Sequence, residues 1–167
     1  MSKSWGHATR NITNNLPDVV VDGIKKQPEY LALNTGVLRS EFGLTNSTSK
    51  VNDIINIWAN NIVLENEPPK IRGSQIVAYY SISMIRSDYT DVLSSPSSRQ
   101  LIEGGNIPWL NWLLLRGGDI LVPKYEVKYG PDPNSRTGNA VIVEGGNYRV
   151  DPKYAGVESN NWVTRAV

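Results

Sequence analysis

The sequence predicts an α+β fold in which about two or three helices pack against a mostly antiparallel sheet of roughly four to six strands, with long loops and an extended C-terminal arm. Apolar residues recur every three or four positions over residues 51–62, which is the spacing of one face of a helix. Apolar and polar residues alternate over residues 71–86 and 119–129, which is the spacing of a strand. Both kinds of segment in one chain of this size predict an α+β domain.

A short apolar run at residues 107–116 is the expected centre of the core. Pro108 suits the first turn of a helix, where the backbone N–H that it lacks would be unbonded anyway. Trp109, Trp112 and the Leu residues around them leave almost no polar face, so this helix is predicted to be buried on most sides. With Trp58 from the preceding helical stripe, the two Trp residues are the expected core anchors.

The chain has the length of one domain, with 167 residues. We divide it into an N-terminal arm or helical lead-in at residues 1–15, an α+β domain at residues 16–150 and an extended C-terminal arm at residues 151–167. The first residues contain no apolar run of the kind found in signal peptides, and no segment approaches the length of a membrane span. We therefore expect a protein that is made in a cytoplasm and has no membrane partner.

The residue inventory argues against several chemical functions. The 17 Lys and Arg nearly balance the 16 Asp and Glu without a clustered basic segment, so no sequence-specific nucleic-acid partner is expected. The absence of Cys and the single His remove thiolate nucleophiles, disulfides and Cys/His metal sites. No phosphate-binding loop, dinucleotide fingerprint or hydrolase elbow occurs. We predict that the protein is not an enzyme and has no catalytic residue, cofactor or bound metal.

The first half of the chain is predicted to hold helices and one long strand. Leu16, Val20 and Ile24 recur every four residues and predict a helix over residues 16–26, with Pro17 in its first turn. Pro28 either ends that helix or starts a second helical turn, which closes at residues 34–36. The segments expected next are a strand over residues 37–44, a helix capped by Ser49, a turn over residues 65–70 and a strand over residues 71–86.

The second half is predicted to hold loops and strands around the central helix. Residues 87–99 are expected to be mainly loop with one helical turn over residues 88–93. Asp88 and Asp91 suit acid–base or metal chemistry, but no further acid or His is near them in sequence, so we interpret them as capping residues. The remaining segments are a half-exposed strand over residues 119–129, a projecting loop over residues 130–138, a buried strand over residues 139–144, a tight turn over residues 145–147 and a return strand over residues 148–150.

Four segments together carry a family resemblance. They are LNTGVLRSEFGL (residues 33–44), IPWLNWLLLRGGDILV (107–122), SRTGNAVIV (135–143) and the closing YRVDPKYAG and NNWVTRAV (148–156 and 160–167). In this order they resemble virion structural proteins of tailed bacteriophages and prophages. The part NTGVLRSEF, which follows an N-terminal helix, is similar to the opening of the tail-completion and head-to-tail joining proteins. No functional residue of that family transfers with these segments.

The resemblance implies a structural subunit of the virion neck or upper tail that joins or completes the tail at the head–tail interface. It implies a homo-oligomeric ring, for which we expect about six or twelve copies, as in closed rings generally. Other neck, portal-adaptor or tail proteins would be its partners, with only passive contact with the DNA channel. A tail terminator or tail-tube subunit is the alternative. A carbohydrate-binding module that uses Trp109 and Trp112, and a hydrolase with paired carboxylates, are alternatives from other classes.

An assembly role predicts apolar surface that the subunit itself does not cover. Ile76, Tyr80 and Ile82 fall on one face of the strand over residues 71–86, and further apolar residues lie on its other face, so the strand is central in its sheet or covered by a partner. The tail is either a docking arm or folded back on its own core. On the first interpretation, truncation after Gly156 leaves a folded subunit that cannot assemble. The hypothesised contact residues of the loop and tail are Arg136, Trp162, Val163, Arg165 and Val167.

Overall fold

The computed structural model describes residues 2–84 and 89–166 of the chain. Within these ranges the chain forms six α-helices, one 3₁₀-helix and three separate two-stranded sheets. The helices are α1 (Ser2–Lys25), α2 (Pro28–Asn34), α3 (Val37–Glu41), α4 (Ser47–Asn60), α5 (Thr90–Ser94) and α6 (Trp109–Leu115), and the 3₁₀-helix is Pro96–Ser98. The strands are β1 (Ile62–Arg72), β2 (Gln75–Met84), β3 (Gln100–Ile102), β4 (Gly105–Ile107), β5 (Val122–Tyr129) and β6 (Ala140–Tyr148).

The α+β class is confirmed, but the single sheet of four to six strands is wrong. Within the described ranges each strand pairs only with its sequence neighbour, in the antiparallel hairpins β1–β2, β3–β4 and β5–β6. Helices follow the first two hairpins in the chain and separate them from the next. Alternation along a strand indicates which side chains share a face, but it does not indicate which other strands complete the sheet.

Helix α1 is longer than the predicted helix over residues 16–26. Only its second half enters the core, through the buried residues Leu16, Val20 and Ile24. The N-terminal lead-in belongs to the same helix, and Pro17 lies inside it rather than in its first turn. Pro17 lacks the N–H that would bond the carbonyl of Thr13, and Thr13 is exposed, so this carbonyl is open to water.

The strand predicted over residues 37–44 is wrong, because this segment begins as helix α3. Gly36 precedes the helix, and the backbone N–H of Phe42 donates to the carbonyl of Leu38 at 3.0 Å. Leu38 and Phe42 are both 0% exposed, and their spacing of four residues places them on one helical face. In so short a segment the same apolar residues fit both a strand period and a helical period. The burial of Leu38 and Phe42 against the core therefore decides that the segment is helical.

Helix α4 carries the apolar stripe that the sequence predicts. It begins at Ser47, after Asn46 in the left-handed conformation with φ 54°, and not at the expected cap Ser49. Asn46 is therefore the N-cap residue in place of Ser49, because its left-handed conformation directs the chain into the helix at that point. The core residues of the stripe are Val51, Ile54, Ile55 and Trp58.

The turn predicted over residues 65–70 is wrong, and the single strand predicted over residues 71–86 is confirmed only over Gln75–Met84, as β2. This region is one long hairpin in which β1 and β2 meet at the turn Gly73–Ser74. Gly73 has φ 63°, a left-handed conformation that suits a tight turn. Pro68 and Pro69 lie instead at a register irregularity inside β1, because a strand with one unpaired edge tolerates residues without an N–H. Residues 85–88, which include Asp88, lie outside the described residues.

The tight turn predicted at residues 145–147 and the return strand predicted at residues 148–150 are wrong. The chain continues there as strand β6 of the hairpin β5–β6. Strand β6 continues through Gly145 and Gly146 to Tyr148, which pairs with Val122. A Cβ atom on Gly145 would lie 2.8 Å from Cδ of Glu126, so the absent side chain makes room for the neighbouring strand. The Gly residues therefore serve close strand packing instead of a turn.

The core lies among the helices and the C-terminal segment. Trp58, Trp109 and Trp162 are each 0% exposed, and at roughly 150–250 Å² per aromatic side chain they bury much of the apolar area. Pro108 precedes α6 as its N-cap residue rather than standing in its first turn. Trp112 packs at the rim of the core, with its ring centroid 6.0 Å from that of Tyr148.

Candidate interaction surfaces

The C-terminal tail is not an extended arm, because its hypothesised contact residues lie inside the protein's own core. Trp162 and Val163 are 0% exposed. The indole Nε1 of Trp162 donates to the carbonyl of Ile24 at 3.1 Å, and its ring meets Trp58 edge-on at 5.4 Å between centroids. The hypothesis that Trp162 and Val163 contact a partner is therefore wrong for the folded subunit. Val167 lies outside the described residues.

Asn161 holds the turn that brings the tail into the core. It is 0% exposed, and its Nδ2 donates to the hydroxyl of Tyr89 at 2.9 Å and to the carbonyl of Val157 at 3.0 Å. Its Oδ1 accepts from the backbone N–H of Val163 at 3.0 Å and of Thr164 at 3.2 Å. The side chain thus provides backbone groups with the hydrogen-bond partners that they would have in a helix or a strand. Our sequence interpretation missed it because one Asn in a polar segment resembles any loop residue.

Arg165, another hypothesised contact residue of the tail, is engaged within the subunit. Its guanidinium forms an ion pair with Glu29 at the start of α2. Glu29 is 0% exposed, whereas a third of the Arg165 side chain, 33%, remains accessible. Oε2 of Glu29 has no hydrogen-bond partner among the described residues. The ion pair with Arg165 is therefore the main interaction that compensates for the desolvation of this buried carboxylate. The ion pair of Arg165 with Glu29 therefore holds the tail against α2.

The first half of α1 lies beside the hairpin β1–β2, and only the base of the hairpin, at Ile62 and Leu64, packs against the core. The ring of Tyr80 stacks on Trp5 with 4.8 Å between centroids, and the hydroxyls of Tyr80 and Thr9 lie 3.4 Å apart. Before Leu16, α1 has no buried residue among those with described side chains. We call the hairpin β1–β2 together with residues 2–15 the finger.

The end of the finger is apolar and uncovered in the described structure. Ile71 and Ile76 form a cross-strand pair beside the turn and are 77% and 58% exposed. Tyr80, whose ring α1 contacts through Trp5, is 38% exposed. The apolar pair at the tip is therefore more exposed than the residue that α1 covers.

Apolar side chains on both faces of β2 are exposed, as the sequence pattern predicted. Ile76, Tyr80 and Ile82 share the face that turns towards α1, and Ile82 is still 47% exposed. Tyr79 on the other face is 51% exposed. The strand is not central in a sheet, so a central position does not account for its two apolar faces.

The loop that carries Arg136 borders a cleft of about 430 Å³ between the end of α3 and the hairpins β3–β4 and β5–β6. The guanidinium of Arg136 lies over the backbone of Gly43, where an added Cβ atom would be 2.9 Å from Nε. Gly43 has φ 59°, so both its conformation and this close approach favour Gly. The walls of the cleft are largely apolar and include Ile102, Ile107, Trp112, Val122, Val127 and Ile142.

Glu41 lies in the wall of the same cleft and is already hydrogen-bonded. The hydroxyl of Tyr129 donates to its Oε1, and the hydroxyl of Tyr148 donates to its Oε2 at 3.3 Å. Burial raises the pKa of Glu41, while the two hydroxyl donors partly oppose this shift. Burial, followed by the nearby Glu41 carboxylate, also raises the pKa of Tyr148, which keeps this hydroxyl a donor near neutral pH. The sequence did not indicate Glu41, because its partners come from distant strands.

The described residues offer little support for the chemical alternatives. Asp91 accepts from the backbone N–H of Val92 at 3.0 Å and from the side chain of Asn61, but it lies inside the first turn of α5, whose N-cap residue is Tyr89. Among the described residues no group of three or more His, Asp or Glu could hold a metal ion. No helix in that part of the chain is long and apolar enough to span a membrane. Trp109 is 0% exposed and therefore cannot form a sugar-stacking platform with Trp112.

A comparison of the chain with protein-family models, characterised proteins and solved structures finds no match. The surfaces themselves are therefore the basis for a functional argument.

Proposed function

We propose that this protein is a structural subunit of a bacteriophage neck or upper tail and that its finger joins it to neighbouring subunits in a ring. The observation that carries the proposal is the exposed Ile71–Ile76 pair beside the turn of the hairpin β1–β2. The particle position rests on the family resemblance of the sequence segments, and the finger supplies the physical means of assembly.

The finger has the chemistry of an interface. Large apolar side chains that remain exposed together are a feature of surfaces that bind other proteins. Each strand of the hairpin also has one edge without a partner strand, and such an edge can pair with another chain. Charged residues at this edge, including the exposed pair Lys70–Glu67 at 3.0 Å, keep the free subunit from unspecific strand pairing. The subunit can thus be soluble alone and still retain an apolar contact surface.

A projecting finger suits a ring better than a two-fold dimer. In a closed ring each subunit meets its two neighbours through different surfaces, so a projection on one side can contact the body of the next subunit. Only the base of the hairpin, at Ile62 and Leu64, packs against the core, so the tip can make such a contact without opening the fold. A tail terminator or tail-tube subunit would use the same geometry, and continuous stacking into tubes would distinguish it from a single ring.

The proposal is tested by removing the apolar tip without disturbing the core. We expect the native chain to form closed rings at high protein concentration and the double variant Ile71→Ser/Ile76→Ser to remain monomeric. Leu101→Ser is the matched control, because Leu101 is 74% exposed in another hairpin and should leave the rings unchanged. Light scattering after size exclusion and negative-stain micrographs report the assembly. A native chain that stays monomeric and joins no virion particle, or rings that form equally well without the two Ile side chains, would refute the proposal.

A further inference from the structure

The cleft beside Arg136 combines apolar walls with one unpaired cation. Among the residues that the structure describes, Glu41 and Arg136 are the only charged ones that line it. Both carboxylate oxygens of Glu41 accept hydrogen bonds from tyrosine hydroxyls. Arg136 has neither a hydrogen bond nor an ion pair within the described part of the chain, although its guanidinium lies close against Gly43. The charge that is open to a ligand is therefore positive.

The size and lining of the cleft restrict what it can bind. A volume of about 430 Å³ is within the range of sites that enclose a small apolar group. The guanidinium presents a planar set of donors that matches the two oxygens of a carboxylate. A ligand that uses both features needs an apolar group for the walls and a carboxylate close to it for Arg136.

We propose that this cleft receives a segment of a partner polypeptide in which an apolar side chain lies beside a carboxylate. The apolar side chain enters the cleft next to Trp112, and the carboxylate pairs with the guanidinium of Arg136. This inference rests on the proposed assembly function, because a subunit in a particle has permanent protein neighbours. It assigns the cleft to a contact separate from the finger.

Loop geometry prepares Arg136 for this contact. Within the loop, Oδ1 of Asp132 accepts from the backbone N–H of Asn134 at 2.8 Å, and the hydroxyl of Ser135 accepts from the backbone N–H of Ala140 at 3.2 Å. Asp132 is thus engaged with its own loop, and no ion pair between Asp132 and Arg136 occurs in the described structure. A loop tied at both ends loses less conformational entropy when its Arg binds a partner.

The test uses a small probe with the two required groups. N-acetyl-leucine carries an isobutyl group beside a carboxylate, whereas N-acetylleucinamide lacks the charge and N-acetylglycine lacks the apolar group. In a titration of the full chain followed by two-dimensional NMR, we expect N-acetyl-leucine to shift the indole signal of Trp112 and the backbone signals around the cleft. The other two compounds should bind more weakly.

Substitutions at Arg136 separate charge from geometry. We expect Arg136→Gln to weaken binding of N-acetyl-leucine on the order of tenfold or more, because a charge-assisted hydrogen bond is lost. Arg136→Lys should give an intermediate affinity, because it keeps the charge and loses the planar donor set. Arg149→Gln is the matched control, since Arg149 is exposed and does not line the cleft.

Two outcomes would overturn the inference. Equal binding of N-acetyl-leucine and its amide would show that Arg136 does not select a carboxylate. Signals that move elsewhere while Trp112 remains unchanged would show that the cleft is not the site. The titration uses the isolated subunit, so its failure leaves the finger proposal intact. If the ring experiment with Ile71→Ser/Ile76→Ser fails to support the finger proposal, the titration can still be interpreted, because it does not depend on ring formation.

Discussion

The C-terminal tail and the finger both carry large apolar side chains, but those of the tail are buried and those at the tip of the finger are exposed. Trp162 in the tail is 0% exposed, whereas Ile71 at the tip of the finger is 77% exposed. The tail has almost no regular secondary structure, and the finger has the longest strands of the described chain. Regular structure is therefore a poor guide to which apolar residues the subunit covers itself.

Hydrogen bonding explains the difference. The tail has turn hydrogen bonds but no long strand or helix ladder, so side chains complete its backbone hydrogen bonding, as Asn161 does for Val163 and Thr164. The finger satisfies its backbone through its own strand pairing, and only the base of the hairpin, at Ile62 and Leu64, packs against the core. A hairpin can thus extend an apolar surface into solvent, whereas an irregular tail with a Trp must fold back.

The largest expected effect comes from removing the tail's anchor. Trp162→Ala should lower the free energy of unfolding by about 3–5 kcal/mol, because it leaves a cavity beside Trp58 and removes the hydrogen bond to Ile24. Truncation after Gly156 should unfold the subunit, which is the opposite of what the sequence alone led us to expect. Urea unfolding followed by far-ultraviolet circular dichroism measures both changes.

Val157→Ala is the control for the tail, because Val157 is 48% exposed and should change the free energy of unfolding by no more than about 0.5 kcal/mol. A truncated chain with native stability would mean that the tail is dispensable for folding, and the contrast with the finger would disappear.

A smaller effect is expected at the ion pair that closes the tail. Arg165→Gln leaves the carboxylate of Glu29 buried without its cation and should cost about 2–3 kcal/mol, less than a fully buried pair because Arg165 is 33% exposed. The double variant Glu29→Gln/Arg165→Gln should recover part of this loss, since no buried charge remains. A double-mutant cycle of unfolding free energies measures the coupling. Strictly additive effects of the two changes would show that the pair does not hold the tail.

The smallest effect on stability is expected in the finger. Ile71→Ser/Ile76→Ser should change the free energy of unfolding by about 0.5 kcal/mol or less, because both side chains already face water in the subunit. Urea unfolding of the monomeric variant tests this value. A loss comparable to that of Trp162→Ala would indicate that the tip is packed in solution, and its apolar residues would then be core rather than contact surface.

Particular residues show where prediction from the sequence succeeded and where it stopped. Residues 51–62 have a long helical period, and α4 follows it as far as Trp58, whereas Ile62 begins β1. Residues 37–44 have too few apolar positions to separate two periods, and the packing of Leu38 and Phe42 made them helical. For the candidate site, the sequence indicated Arg136 as a projecting residue, but its cleft is formed by segments far apart in the chain. Glu41 was missed for the same reason.

The sequence by itself determined the α+β class, the stripe of α4 and the apolar faces of β2, because each depends on the spacing of neighbouring residues. Only the tertiary structure decided that the strands form three separate hairpins, that Trp162 belongs to the core and that Ile71 remains in water. These outcomes depend on which distant segments meet. Local periodicity limits which face of a segment can be buried, but the contact that buries it comes from elsewhere in the chain.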